Sequence, residues 1–359
     1  MPLSRLTVRD FRCFETATLD LDAHTTWIVG ANASGKTSLL EALFFLGHGR
    51  SFRNTRAERL IRTGAERFEL VARFDDSGLQ AGKVLGMARD ASGGEARLGG
   101  KELRTFAEAA QALPAVVLDS EMNRLVSEGP GHRRRWLDWG LFHVEPDFLD
   151  AWRSFQRALR QRNMALKQGY PDRAVSPWTD ALIESAHTLH ALRERYFETL
   201  KPLCEEYLGI ALPEIAIELS YRRGWAQDES FPDSLEKSLR RDREFGNTRP
   251  GPHRADIRLT SQGIPVTERV SRGQQKMLAG ALWLAQVMMF GRGTGRRSLL
   301  LVDDLAAELD GERLRRFLEL LGRQSVQQVL TAINHSDIER TGLAQGAVFH
   351  VEQGVLSTA

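Results

Sequence analysis

The sequence predicts an α/β protein in which a P-loop lobe is assembled from the two ends of the chain and a mainly helical second lobe is inserted between them. Three observations predict this. Gly30-Ala31-Asn32-Ala33-Ser34-Gly35-Lys36-Thr37 fits the pattern G-x-x-x-x-G-K-[ST] near the start. Leu299-Leu300-Leu301-Val302, followed by Asp303-Asp304, is an apolar run ending in two carboxylates near the end, the pattern of a parallel strand buried on both faces. Between them, Trp136, Leu137, Leu141, Phe148, Trp152, Phe155 and Leu159 recur at three- and four-residue spacing, which is helical. The expected boundaries are 1–117 with 296–359 for the P-loop lobe and 118–295 for the helical lobe.

Along the chain, Leu6 to Phe11, Ala17 to Leu21 and Thr25 to Val29 are short stretches rich in apolar and β-branched residues and read as strands. The third runs straight into the glycine loop. After Lys36, the apolar positions Leu39, Leu40, Leu43, Phe44 and Leu46 line one side of a helix that Gly47 to Gly49 ends. Strand, loop and helix are the context the motif requires. Glu69 to Phe74, Lys83 to Ala88 and Ala115 to Leu118 are further strands.

In the insert, Pro171 and Pro177 are expected to break the pattern into at least two long helices, and Pro213 to Leu219 returns to a strand. Gly246, Pro250, Gly251 and Pro252 predict a loop over Arg240 to Arg254, followed by a strand at Ala255 to Leu259. Ser271 caps a helix running to about Phe290. An amphipathic helix at Leu309 to Leu321 and strands at Gln328 to Ile333 and Ala347 to Val351 close the sheet.

Bulk properties bound the function. A chain of 359 residues with 42% apolar and 27% charged residues describes an ordinary soluble protein with room for two domains. No apolar run is long enough to span a bilayer, and Met1 to Leu6 begins no secretory leader, so a cytoplasmic protein without a membrane partner is expected. Cys13 and Cys204 are far apart, without metal-ligand spacing, and read as packing residues. A net charge of +2 does not by itself argue for nucleic acid; the local arginine clusters must carry that case.

A glycine loop opening a helix presents main-chain N–H groups to a phosphate chain, and the helix N-terminus adds a favourable dipole. Gly30 to Thr37, with Ser38, are therefore the expected ATP-binding residues. Lys36 reaches the β and γ phosphates, and the Thr37 hydroxyl holds Mg²⁺. Asp303, at the end of the apolar strand, is the second Mg²⁺ ligand, and Asp304 orients water for attack on the γ-phosphate.

Ser271-Arg272-Gly273-Gln274-Gln275 lies ahead of the Asp303 strand and matches a cassette-type signature. Ser271, Gly273 and Gln274 would then meet a γ-phosphate presented by a second copy. Arg53 and the run Arg133, Arg134, Arg135 are the candidate DNA contacts. Arg240, Arg241, Arg243, Arg249 and Arg254 form a further basic group. Trp136, Trp139 and Phe142 are expected to pack in the core rather than stack on bases, and His335 to lie in a loop.

With these residues in place the chain resembles the RecF recombination mediators, part of the cassette-type (ABC-type) ATPase group that includes the Rad50 and SMC heads. The resemblance covers essentially the full length. It rests on Asp10-Phe11-Arg12-Cys13-Phe14, the loop Gly30 to Thr37 with Leu39-Leu40-Glu41-Ala42, and Gly49-Arg50-Ser51-Phe52-Arg53. It continues through Gly129 to Asp138, Gly251-Pro252-His253-Arg254, Ser271 to Lys276, and Asp303-Asp304 with Glu308-Leu309-Asp310.

The resemblance implies that Arg12 approaches the nucleotide and that Glu308 to Asp310 face a partner subunit. It also implies weak, DNA-stimulated ATP hydrolysis, ATP-dependent dimerisation, binding to duplex or gapped DNA, and RecR and RecO as partners in loading RecA. Related heads carry Asp-Glu where this chain has Asp303-Asp304. The glutamine and histidine sensors of transporter ATPases have no clear counterparts, which weighs against a transporter subunit. A structural clamp of the SMC type needs long heptad arms, for which the insert is too short.

Overall fold

The computed structural model describes residues 2–53, 56–76, 79–304, 309–343 and 346–358. The chain forms two compact units, Met1–Met122 with Phe290–Ala359, and Asn123–Met289.

The first unit contains two six-stranded sheets. One is antiparallel and runs, edge to edge, Phe14–Asp20, Leu3–Phe11, Arg67–Phe74, Val84–Asp90, Gly94–Leu98 and Lys101–Glu102. Its alternating burial, as in Arg67–Phe74, marks a sheet with one covered face. The other runs Val355–Thr358, Ala347–Glu352, Thr25–Val29, Gln327–Ala332, Leu299–Val302 and Ala115–Leu118, all parallel except its first strand. Thr25–Val29, Leu299–Val302 and Gln327–Ala332 are buried at every residue, as a covered parallel sheet requires.

The helix Lys36–His48 packs within the same core. Leu39, Leu43 and Phe45 belong to one apolar cluster with residues of both sheets, and the Phe45 ring meets Phe68 edge-on at 5.2 Å. The Gln327 amide donates to the Leu3 carbonyl and accepts from the Leu3 N–H, each at 2.7 Å, and so joins the two sheets.

The second unit holds the helices Arg124–Ser127, Pro130–Val144, Phe148–Lys167, Asp172–Ala211 and Phe231–Phe245, the start of Arg272–Thr294, and a three-stranded sheet of Ile264–Pro265, Asp256–Ser261 and Glu218–Arg222. The expected break at Pro177 does not occur. Asp172–Ala211 is a single helix of 40 residues with Pro177 and Pro202 inside it. Pro177 lies in the second turn, where its missing N–H removes one bond near a helix end already short of partners; Pro171 supplies the break, as the N-cap.

Three further expectations are corrected. Arg240, Arg241 and Arg243 sit on the helix Phe231–Phe245, which ends at Gly246 in the left-handed region; the loop is confined to the residues after it. The strand expected at Pro213 to Leu219 is displaced to Glu218–Arg222. His335 is the first residue of a short helix capped by Asn334, whose side chain accepts the Asp337 N–H, and not a loop residue.

Candidate nucleotide-binding site

Parallel strands bring the sequence-distant motifs to one end of a sheet. Gln327–Ala332 pairs with Thr25–Val29 on one side and with Leu299–Val302 on the other, with Thr331 opposite Ile28 and Leu330 opposite Val302. The glycine loop after Val29 and the aspartates after Val302 therefore emerge on either side of the strand carrying Thr331. The carboxyl ends of parallel strands are where ligands bind in such sheets.

The loop is shaped for close main-chain approach. Gly35 has φ 120°, and a Cβ there would meet Phe14 Cζ at 2.8 Å and Cys13 Sγ at 2.9 Å. Gly30 is packed as closely, with a Cβ meeting the Val351 carbonyl oxygen at 2.3 Å. The helix opens directly at Lys36 with no side-chain cap, which leaves the N–H groups of Lys36 and Thr37 for a ligand.

Two side chains in the loop are poised for an anion. The buried Lys36 ammonium is held by the carbonyls of Gly30 at 2.8 Å and Ala31 at 3.2 Å, and lies 3.8 Å from Asp304 Oδ1. The Ser34 hydroxyl is buried without a hydrogen-bond partner. An orphaned buried hydroxyl in a glycine loop fits a phosphate oxygen as its missing partner. Ser38 is inside the helix and donates its N–H to the Gly35 carbonyl.

Thr37 Oγ1 stands 3.1 and 2.9 Å from the two oxygens of Asp303. A hydroxyl and a carboxylate at this separation are hard oxygen donors of the kind Mg²⁺ takes, together with phosphate and water. Among the described residues no cluster of three or more His, Cys, Asp or Glu is placed to hold a metal. Burial raises the Asp303 carboxyl above the usual carboxylate range. Hydrogen bonds from Thr37 and Thr331 and the charge of Arg53 oppose this.

Asp304 adopts φ 46°, a conformation rare for a residue with a side chain but tolerated by Asp. It is fixed there by its N–H, which donates to Thr331 Oγ1 at 2.7 Å. Glu308 lies outside the described residues. Asp310 caps the helix Gly311–Gly322 by accepting the Arg313 N–H, and also pairs with the Arg313 guanidinium.

Arg12 sits in the two-residue turn between Leu3–Phe11 and Phe14–Asp20 at φ 57°. Its guanidinium forms a fork on the fully buried Glu41 of the P-loop helix, at 2.7 and 2.8 Å, and donates to the Arg59 carbonyl. Cys13 in the same turn is exposed, not packed as expected, because the turn projects it to the rim beside Gly35; Cys204 is buried.

In the second unit, Ser271 Oγ accepts the Gln274 N–H at 3.3 Å and Gln274 Oε1 accepts the Ser271 N–H at 2.9 Å. This capping box leaves Ser271 exposed at the start of the helix, with Gly273 on its first turn. Of the basic run, Arg133 pairs with Asp256 at 2.7 Å and donates to the carbonyls of Leu125 and Glu128. Arg134 donates to the Ala255 carbonyl. Arg135 is exposed, as is Arg53 in the first unit. Trp136 is buried, donating to the Leu282 carbonyl, and Trp139 meets Trp283 edge-on.

Sequence reading missed Thr331 and Glu41 as working parts, while it included Ser34 in the ATP-binding loop. Thr331 is one polar residue within a strand read only for its apolar character. The signal available was its place near the end of a strand that must adjoin the P-loop strand, where a buried hydroxyl needs a partner.

Residues 2–357 match the family described as RecF/RecN/SMC N terminal domain. The chain is 40% identical over 358 residues to the DNA replication and repair protein RecF of Edwardsiella ictaluri, covering 99% of this chain and 100% of the relative. It is 38% identical to that of Vibrio campbellii, with 99% of each chain covered. In three dimensions it is similar to a structure of the recombination mediator protein RecF with ATP, with a TM-score of 0.87, 24% identity and coverage of 99% and 97%. A TM-score of 0.61 relates it to an Smc head from Pyrococcus furiosus at 15% identity, with coverage of 99% and 95%. The fold is that of an ABC-type ATPase head, and the chain belongs to the RecF family of DNA replication and repair proteins.

Proposed function

We propose that this chain is an ATP-switched DNA-binding protein of recombinational repair. Two copies close on two ATP molecules, bind duplex DNA at a gap, and release it on slow hydrolysis. The observation that carries this reading is the convergence of Lys36, Thr37, Asp303 and Asp304 at the ends of adjacent parallel strands, in a family whose members act in replication and repair.

Each residue has a role in that cycle. The N–H groups of the glycine loop and Lys36 hold the phosphates; Thr37 and Asp303 hold Mg²⁺, which screens the phosphate charge; Asp304 orients water. Ser271, with Gly273 and Gln274, meets the γ-phosphate of the other copy, which makes ATP the bond between them. DNA contact falls to exposed arginines, Arg135 and Arg53 first, because Arg133 and Arg134 have their donors engaged within the second unit. By family resemblance RecR, RecO and RecA are the protein partners, in the cytoplasm. Among the described residues no helix is long and apolar enough to cross a membrane, and the family gives no support to a transporter subunit.

The test is dimerisation and gapped-duplex binding, measured with and without ATP across a salt series. ATP should produce a dimer and tighten DNA binding, and Lys36→Arg should lose both effects. A Lys36→Arg protein that dimerises and holds gapped DNA as the unsubstituted chain does would overturn the switch.

A further inference from the structure

Thr331 makes three contacts with the two aspartates while itself almost wholly buried. Its Oγ1 lies 2.9 Å from Asp303 Oδ1 and 3.2 Å from Asp304 Oδ1, and it accepts the Asp304 N–H at 2.7 Å. A hydroxyl carries one proton, so it donates to one carboxylate at a time. The acceptor side is committed to Asp304 by the left-handed turn at that residue. The donor side is shared between the metal-side carboxylate and the water-side carboxylate.

We propose that Thr331 is a positioning residue that carries the state of Asp303 to Asp304. With Asp303 uncoordinated, its Oδ1 is the nearer acceptor, and the hydroxyl proton rests there beside the donation from Thr37. When Asp303 turns its oxygens to a cation, its demand for that proton falls and the proton passes to Asp304 Oδ1. The second carboxylate is then oriented through its own side chain as well as through its N–H. Neither aspartate need move far, because one Cβ–Oγ1 rotor serves both.

Local sequence pattern does not reveal this device, because a threonine inside the strand does the linking. The inference rests on the ATP-binding reading above and names how that site is regulated.

The experiment compares the unsubstituted chain with Thr331→Ser and Thr331→Val. ATP affinity is measured in EDTA and in Mg²⁺, and hydrolysis in a single turnover. All three proteins should bind ATP equally in EDTA, since the glycine loop and Lys36 are untouched. Thr331→Val should lose about tenfold of the affinity gained on adding Mg²⁺, and its single-turnover rate should fall about ten- to hundredfold, the worth of one hydrogen bond to a charged group. Thr331→Ser, which keeps the hydroxyl, should restore both.

If Thr331→Val does not fold, Thr331→Ala takes its place with the same expectation. Unchanged Mg²⁺ dependence and rate in Thr331→Val overturn the proposal. So does an equal loss in Ser and Val, which would show that keeping the hydroxyl is not enough to keep the effect, or a loss of binding in EDTA, which would make Thr331 a support for the loop. An unsubstituted chain that binds ATP in neither buffer overturns the nucleotide reading itself, a separate outcome.

Discussion

Thr37 and Asp303, 266 positions apart in sequence, are within hydrogen-bonding distance through a hydroxyl and both carboxylate oxygens. The two expected metal ligands therefore hold one another. A cation held by both would replace that hydrogen bond and would neutralise a carboxylate that burial disfavours in its charged form.

Asp303→Asn should stabilise the ligand-free protein while destroying its response to Mg²⁺ and ATP. For an acid whose folded pKa is raised, the associated stability is full below the unfolded pKa and is lost as pH rises through the folded one. Stability should therefore fall as pH rises through the Asp303 titration. Asn keeps the acceptor oxygen and removes the charge. Thermal melts should show a gain of about 1 kcal/mol without ligand and no further rise with Mg²⁺ and ATP; a less stable Asn protein would refute the account.

Arg12→Ala should destabilise the first unit by about 3–5 kcal/mol, because it leaves the buried Glu41 without its guanidinium and, among the described residues, with only the Ser51 hydroxyl donating to it. Arg12→Met combined with Glu41→Leu should recover most of that loss. If Arg12 also touches nucleotide, as the resemblance implies, the recovered double variant still binds ATP more weakly. If its work is confined to Glu41, ATP affinity returns with stability. Denaturant melts and ATP titrations on the same samples separate the two roles.

Two histidines predict the acid side of the stability profile. Burial, with the charge of Arg50, pushes the His48 imidazole down to about 3, and burial pushes His253 down to about 4. A depressed folded pKa gives stability that is present above the unfolded value and lost as pH falls toward the folded one. Unfolding free energy should drop from about pH 6.5 toward pH 4, with a slope of up to about 1.4 kcal/mol per pH unit for each histidine. His48→Phe should flatten the profile of the first unit, and an unchanged slope would exclude His48 as its source.

Arg135→Ala should weaken DNA binding and lower its salt slope by about one without altering the melting temperature. Arg133→Ala should do the opposite first: it loses the Asp256 pair and the bonds to Leu125 and Glu128, and the second unit melts earlier. Equal stability of the two variants would show that the Arg133 bonds contribute nothing to the fold.

The nucleotide site was legible where chemistry forces residue type. A glycine at φ 120° between Phe14 and Cys13, a lysine and a threonine after it, and an apolar run ending in acid each leave a pattern in the sequence. Thr331 did not, because its task depends on which strand lies between two others, and adjacency in a parallel sheet is not written in local spacing. The insert was read by the rule that proline ends helices, which held at Pro171 and failed at Pro177, where one bond near a helix start is cheap to lose. The arginine runs were read by charge alone. Their separation into a committed Arg133 and an exposed Arg135 needed the carbonyls they meet, which come from segments distant in sequence.

The strand that launches the glycine loop has as its two neighbours Gln327–Ala332 and Ala347–Glu352, so nearly all the chain intervenes before its hydrogen bonds can form. A ribosome that has finished the P-loop, the helix after it and the whole helical insert has still not made either edge on which the loop's strand rests. The nucleotide pocket is thus among the last features to exist as the protein is made, and a chain shortened before residue 327 carries every residue of the P-loop motif with no sheet to hold it.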